Sequence, residues 1–484
     1  MGSGFAGILK ARQNYRLTSW LFLRLLAIVY FIAFASLSVQ IIGLVGPDGI
    51  LPFEEFLFNV HQRFGAEAWW RFPNIFWLNS GDLALHAATF AGILLSISVF
   101  LGFFQRTFLI AMFVLYLSLT LAGQTFLTFQ WDILLLESGF FAIFLAANPS
   151  WLVIFFLEWL LFRLRFLSGI SKLLSGDPSW SGLTSLNYYF ETQPLPHIGA
   201  WYAHHLPEAV LRAGTGATLV AEIIVPFFIF LPRPFRIAAA IITIFIQLLI
   251  IATSNHNWIN ILTIVLCLFL LDDKIVRRIL PRPLVKAILS DRPDFSWIWN
   301  AALVVLGSIV FAASLVTMYV HLTGKELPPR VMESANIVRH YGLGHVYHVF
   351  PTMQTERQEL EIQGSMDGRN WQTYVFKYKP GPIDRAPVFN LPHQPRLDWL
   401  MWFVPPKFPD QLYWFDRFMQ KLAQGESKVT RLLKTNPFES APPKYLRVLA
   451  YRYHFTTPEE RKATGNWWKR ELLGEFPNTP ARFP

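Results

Sequence analysis

Apolar residues fill the first 320 positions in nine long blocks, and beyond them the pattern changes to short alternation. The blocks are Trp20–Leu44, Leu83–Phe104, Thr107–Leu127, Trp131–Ala147, Trp151–Leu167, Ala213–Leu231, Phe235–Thr253, Trp258–Leu271 and Trp297–Val320. A membrane-crossing helix takes about 20 apolar residues, with about 17–25 as the working range. The pattern therefore predicts a polytopic α-helical membrane domain of about nine spans over residues 1–320. The fourth and fifth blocks are at the short limit, and the eighth is shorter still. The first block is too long for a cleaved signal peptide and reads as a retained span.

The fourth and fifth blocks carry charge. Asp132 and Glu137 interrupt one; Glu158, Arg163 and Arg165 interrupt the other, which leads into Lys172. A charge at membrane depth costs about 2.5–3.5 kcal/mol on insertion scales, so it persists with a partner or a task. Asn148-Pro-Ser150 predicts a tight turn and antiparallel helices. Counted from Pro149, Glu137 lies twelve residues back and Arg163 fourteen forward, and Asp132 seventeen back and Arg165 sixteen forward. At about 1.5 Å per residue the depths agree to about 3 Å, which predicts the ion pairs Glu137–Arg163 and Asp132–Arg165. Whether these pairs only hold the bundle together or also serve function stays open. Glu158, Arg165 and Lys172 follow one another at intervals of seven, a stripe that drifts only about 20° per step. Lys172 is either a general base, tuned by Glu158 or Arg165, or a lysine snorkelling to the interface.

Loop charge orients the chain. Lys10, Arg12, Arg16, Arg106, Arg233, Arg236, Lys274, Arg277, Arg278, Arg282, Lys286 and Arg292 fall on the side of the N-terminus, while opposite loops hold few cations. That asymmetry predicts a cytoplasmic N-terminus and, with an odd number of spans, an extracytoplasmic C-terminal part, periplasmic or lumenal. Two far-side loops stand out. Residues 46–82 carry Glu54, Glu55 and Trp69-Trp70 and suggest a surface amphipathic element. Residues 168–212 are rich in Pro, Trp, Tyr and His and suggest a folded cap.

In residues 321–484, Leu360–Lys379 reads as two strands around Asp367-Gly368, Tyr445–Phe455 as another strand, and Gln411–Ala423 as a helix. Thr457-Pro-Glu-Glu460 opens a capped helix. Together these predict a β-rich, sandwich-like soluble domain.

Composition sharpens the picture without changing it. Charged residues make up 15% of the 484, against about 25% in soluble domains. The net charge of +10 lies mostly in short loops, so it is orientation chemistry rather than a nucleic-acid footprint. Cys267 is the sole cysteine, which excludes an intramolecular disulfide and a cysteine zinc site. His204-His205 lack further ligands at metal spacing, and neither a metal nor a cofactor is expected. Glu222 is expected to face Gln247 or an arginine, and Gly342-Leu-Gly344 to be a plain turn.

Trp131-Asp-Ile-Leu-Leu-Leu-Glu137, Arg165–Lys172, Asn187–Pro196, Trp201-Tyr-Ala-His-His-Leu-Pro207, Gly364–Trp371, Lys377–Gly381, His393-Gln-Pro-Arg-Leu-Asp-Trp399 and Tyr451–Pro458 resemble the lipase maturation factor family. The resemblance implies a multi-pass membrane protein that helps exported lipases fold, with a lumenal C-terminal domain engaging the client and animal members in the endoplasmic reticulum. The near absence of cysteine, and the lack of any Asn-x-Ser/Thr sequon, favour a bacterial inner membrane here. Gly169-Ile-Ser-Lys172-Leu173 with Trp180 is also similar to the Gly-x-x-Lys-Leu…Trp signature of the vitamin K-dependent γ-carboxylase and its related bacterial family, where the matching lysine is the catalytic base. Glu361–Trp371 is similar to a hairpin of discoidin-like sandwiches, which speaks to fold and not to sugar binding.

The expected function is a membrane maturation factor, with the bilayer and an exported, lipase-like client as partners. Trp180, Tyr188, Trp201, His204 and His205 in the far-side loop, and Arg396, Asp398 and Trp399 in the C-terminal part, are the expected client contacts. The alternative is a membrane enzyme using Lys172 as base.

Overall fold

The computed structural model describes residues 15–146, 149–290 and 297–477. Lys10, Arg12, Asn148 and Arg292, used above, lie outside them. All nine apolar blocks are helical: α1 (Arg16–Ser38), α2 (Asp82–Leu101), α3 (Gln105–Ala122), α4 (Gln130–Leu145), α5 (Trp151–Leu174), α6 (Glu208–Ile223), α7 (Arg233–Thr253), α8 (Ile259–Leu266) and α9 (Trp297–Thr323). Past α6, Pro226 has no N–H to donate, and the chain tightens into a 3₁₀ turn, Val225–Phe230. Past α8, Cys267–Leu270 does the same.

Length and composition support six of the nine as membrane spans. Among the described residues, six helices are long and apolar enough to cross a bilayer: α1, α2, α3, Glu208–Phe230, α7 and α9. The other three fall short for different reasons. Helix α4 has 16 residues, Ile259–Leu270 is short, and α5 is long enough but interrupted by Glu158, Arg163 and Arg165.

The shortfall has a physical counterpart in packing. Every α4 side chain from Trp131 to Leu145 is buried except Ile133 and Phe140. On α5, sixteen residues between Val153 and Lys172 are buried. The outer helices present Leu94, Phe100, Ile241, Phe245, Val304 and Val305 outward. Charge is thus kept at the centre, and an apolar ring surrounds it.

The helices alternate between two ends of the bundle. At one, Arg16 donates to Ile288 O and Leu289 O (2.8 and 3.0 Å), and Arg233 pairs with Asp272. At the other, the ends of α1 and α2 meet residues far along the chain. The Gln394 N–H donates to Ser36 Oγ (2.9 Å), and Lys428 reaches Asp48 and Asp82 (2.8 and 2.6 Å). Of the loop 46–82, helix Phe53–Phe64 buries Phe53, Leu57 and Val60, while Trp69 and Trp70 are exposed.

The C-terminal part contains one antiparallel sheet, in the order β2-β1-β3-β4, from β1 (Arg357–Ser365), β2 (Gln372–Thr373), β3 (Tyr445–Phe455) and β4 (Trp468–Glu475). No second sheet is present among the described residues, so the sandwich expectation fails. The second layer is helical: Leu360 and Ile362 of β1 share a core with Trp414 and Phe418 of helix Pro409–Ala423. That core continues through Leu343 and Tyr347 to Leu134 and Leu135 of α4. The Asp367-Gly368 turn forms as expected, Asp367 Oδ1 accepting from the Arg369 and Asn370 N–H groups (both 2.8 Å). The expected second strand shrinks to two residues, because the Tyr378 and Lys379 N–H groups turn instead to Asp398 (2.6 and 3.0 Å). Helix Pro458–Thr464 carries the full Thr457–Glu460 capping box, and β4 follows where alternation was not apparent.

At Gly139 α4 lies tightly against α1, since a Cβ there would overlap the Tyr30 hydroxyl, which donates to Leu135 O (3.1 Å). Gly139→Ala is expected to destabilise the bundle by about 1–3 kcal/mol through overpacking. Thermal unfolding in detergent checks this; an unchanged midpoint contradicts the tight α1–α4 contact.

Candidate functional site

Apart from Glu158, the buried charges of α4 and α5 fall into three clusters, and each is completed by atoms from beyond residue 340. In the first, Arg396 makes a bidentate pair with Asp132, Nη1 to Oδ2 at 2.6 Å and Nη2 to Oδ1 at 2.7 Å. Tyr116 of α3 donates to the same carboxylate (2.6 Å), and Arg396 Nη1 also donates to Phe126 O (3.1 Å). Trp131 and Trp258 flank the guanidinium, with ring centroids 5.9 and 5.5 Å away. This arrangement satisfies both carboxylate oxygens with three donors, which is what a buried anion requires.

In the second cluster Arg163 pairs with Glu137 across the α4–α5 turn. Glu137 Oε2 accepts from the Gly344 N–H (3.1 Å) and the Tyr347 hydroxyl (3.0 Å), while Arg163 Nη1 donates to His345 O (3.0 Å). Gly344, read from sequence as a turn and nothing more, is therefore a ligand of the buried glutamate.

In the third, Lys172 Nζ has four acceptors: Glu222 Oε2 (2.7 Å), Ser168 O (3.0 Å), Ser168 Oγ (3.2 Å) and Val349 O (3.0 Å). Arg165 Nη1 lies 3.3 Å from the other oxygen of Glu222. The predicted Asp132–Arg165 pair is thus not made: Asp132 turns to Arg396 and Arg165 to Glu222. Glu158 also leaves the expected stripe and faces Arg236 of α7 (3.5 Å). Lys172 is buried rather than snorkelling. An ammonium has three N–H donors, all met here by acceptors, so the amine ties α5 to α6 and to the chain at Val349. Of the two partners its sequence position suggests, Gln247 or an arginine, Glu222 takes the arginine, together with Lys172; Tyr116, Tyr347 and Arg236 carry no local signal of their roles.

Most expected client contacts are internal. Trp180, Trp201, Arg396, Asp398 and Trp399 are buried, and only Tyr188, His204 and His205 are half-buried. Trp201 Nε1 donates to Thr456 O (3.0 Å), and Trp180 lies 5.1 Å from Lys172 Nζ. Aromatic, polar loops look alike whether they face a partner or their own domain, and here they face their own.

The cap formed by residues 168–212 is bolted to the sheet. Arg357 of β1 donates to Glu191 O (2.9 Å), Gln193 O (2.5 Å) and Pro194 O (3.0 Å). Glu191 in turn accepts from the Phe455 N–H (2.7 Å) and bonds His454 (3.0 Å), with His204 3.7 Å away. Burial raises the Glu191 carboxyl, but His454, the Phe455 N–H and His204 outweigh it and hold it below the usual range. The Glu191 hydrogen bond, opposed by burial, raises the His454 imidazole above its ordinary 6.5.

Two outcomes follow from this geometry. Arg396→Ala leaves Asp132 buried without its cation and is expected to cost about 3–5 kcal/mol. Adding Asp132→Asn should recover part of that loss; additive losses in a double-mutant cycle contradict the pair. For His454, the raised imidazole contributes stability in full below the unfolded value and loses it as pH rises through the folded one. His454→Gln should therefore weaken hydrogen-exchange protection at Phe455 and Thr456 most at pH values below the ordinary imidazole range, with the difference from wild type shrinking as pH rises through the raised His454 value. A pH-independent difference contradicts the charged contact.

Comparisons with known proteins cover both halves of the chain. The lipase maturation factor transmembrane domain family matches residues 17–278, and the lipase maturation factor C-terminal domain family matches residues 343–478. Lipase maturation factor 2 of Xenopus laevis is 32% identical over 586 aligned positions, covering 96% of this chain and 82% of the relative. The Homo sapiens lipase maturation factor 2 is 32% identical over 592 positions, covering 95% and 82%. Lipase maturation factor 1 of Mus musculus is 32% identical over 507 positions, covering 96% and 87%. No solved structure matches. These relatives are vertebrate, so they lend no support to the bacterial inner membrane expected above. The chain belongs to the lipase maturation factor family.

Proposed function

We propose that this protein is a multi-pass membrane factor that helps exported lipases reach their active fold. What carries the reading is likeness to proteins named lipase maturation factor along 93–96% of the chain, through both the helical and the C-terminal parts. The enzymic alternative has less support: Lys172 is surrounded by acceptors and tied into the packing, and the relatives bear a maturation name.

In this reading α4, α5 and Ile259–Leu270 also run through the membrane, screened from lipid by the six apolar helices. Their charged or short sequences then cost little, because protein and not hydrocarbon surrounds them. The cation-rich end, with Arg16, Arg106, Arg233, Lys274, Arg277 and Arg278, faces the cytoplasm. The sheet and the cap lie on the opposite side, in the compartment through which the client is exported. Residues 321–484 and the cap supply the client surface. Exposed Tyr202 on the cap, and Met366, Tyr445 and Leu472 on the sheet, are the apolar groups suited to a partly folded chain.

Cells lacking the protein, re-supplied with wild type or a Tyr445→Ser/Leu472→Ser variant and expressing a secreted lipase, test this. Activity per mass of secreted lipase should fall several-fold without the protein and partly with the variant, whose melting stays unchanged. Equal specific activity in all cells would remove the function. A C-terminal reporter is expected to be active only outside the cytoplasm; cytoplasmic activity would reverse the orientation.

A further inference from the structure

Beside the third charge cluster lies a cavity of about 120 Å³ between α5, α6, α7, α8 and the segment Val349–Met353. Leu164, Ile250, Ile259 and Phe350 line it, its charged groups are Arg165, Lys172 and Glu222, and Gln247, His256 and Asn260 add neutral polar groups on the α7–α8 side. The charges do not balance. One carboxylate faces two cations, and Lys172 with its 2.7 Å contact takes the greater share of it.

Arg165 carries the surplus. It is 5% exposed, and neither its Nε nor its Nη2 has a hydrogen-bond partner. The Trp180 indole N–H, also buried and on the cavity wall, has none either. Buried donors left unmet are rare and costly, about 1–3 kcal/mol each and more for a charged group. In arginine, Nε–H and Nη2–H share one edge of the planar guanidinium, the edge that a carboxylate takes with both oxygens. An unfilled fork on a charged, buried side chain calls for an oxyanion.

The cavity also says how large the oxyanion's carrier is. At roughly 30 Å³ per water in the liquid, the space holds about four waters' worth of matter, enough for a carboxylate and its first methylenes. The half-buried Thr218 and Ile250 close its α6–α7 side, next to exposed Val220, Leu248 and Leu249. An apolar tail leaving there lies against lipid-facing side chains and needs no further cavity.

We propose that this cavity binds the carboxylate of a long-chain fatty acid, Arg165 holding the head through Nε and Nη2 and the acyl chain following the outer face of α6 and α7. The site does not depend on the maturation role and is tested on the purified protein alone.

The full chain in nanodiscs of neutral phosphatidylcholine is titrated with radiolabelled oleate, with oleyl alcohol, acetate and inorganic phosphate as competitors. Saturable binding of one oleate per protein is expected. Oleyl alcohol should compete at least tenfold more weakly, and acetate and phosphate not measurably. Arg165→Gln should weaken oleate at least tenfold. Because that change also touches Glu222, Ile250→Trp serves as a second variant that fills the cavity and leaves every charge in place; it should abolish binding with unchanged melting. Equal competition by oleyl alcohol means that the tail alone is recognised, and equal competition by acetate or phosphate means that only a small anion binds. Either result overturns the proposal, as do normal binding by Ile250→Trp and the absence of saturable binding, which would leave water as the occupant.

Discussion

A charge taken out of water must find its counter-charge inside the protein, and this molecule finds it at the far end of its own sequence. Asp132 sits on a helix at the middle of the bundle, and the arginine that neutralises it stands 264 residues later. Glu137 depends on Arg163 nearby but fills its second oxygen with Gly344 and Tyr347. Lys172 spends one donor on Val349 O. The region after the last apolar helix is therefore part of the bundle's interior. Removing one partner of such a pair costs far more than the pair contributes, because the remaining charge stays desolvated.

This constraint explains the distribution of polarity. The helices richest in buried charge, α4 and α5, are enclosed, while outward-facing α6 and α7 turn Glu222 and Arg236 inward and present apolar side chains outward. It also explains how the cap is placed without a disulfide. Arg357 holds three carbonyls of the segment Glu191–Pro194, and Glu191 holds the end of β3, so the sheet is clamped to the cap by hydrogen bonds to buried charged groups. Cap and sheet are thereby fixed to each other and to the bundle rather than tethered to it.

What was legible in the sequence was what is local. The Glu137–Arg163 contact could be read from depth on either side of a tight turn, and all nine helical blocks from their apolar runs. The capping box at Thr457 and the turn at Asp367-Gly368 were legible for the same reason. The partner of Asp132 was not: Arg165 lay at the right depth, but depth does not say which way a side chain points around the helix, and Arg396 offered no spacing to measure. The single sheet looks like half of a sandwich in sequence, because alternation shows that a strand buries one face, not what covers it. Here a helix and the bundle cover β1. Trp201, Arg396 and Trp399 lie in a buried junction, which draws on the same aromatic and arginine side chains as an exposed interface and so looks like one in sequence.

The account rests on the C-terminal region being an integral half of the membrane body. A specific protease site inserted after Gly324, in the exposed link between α9 and the next helix, tests it directly. After complete cleavage in mild detergent, the two fragments should co-elute as one particle in size-exclusion chromatography. Fragments that separate under those conditions would contradict it.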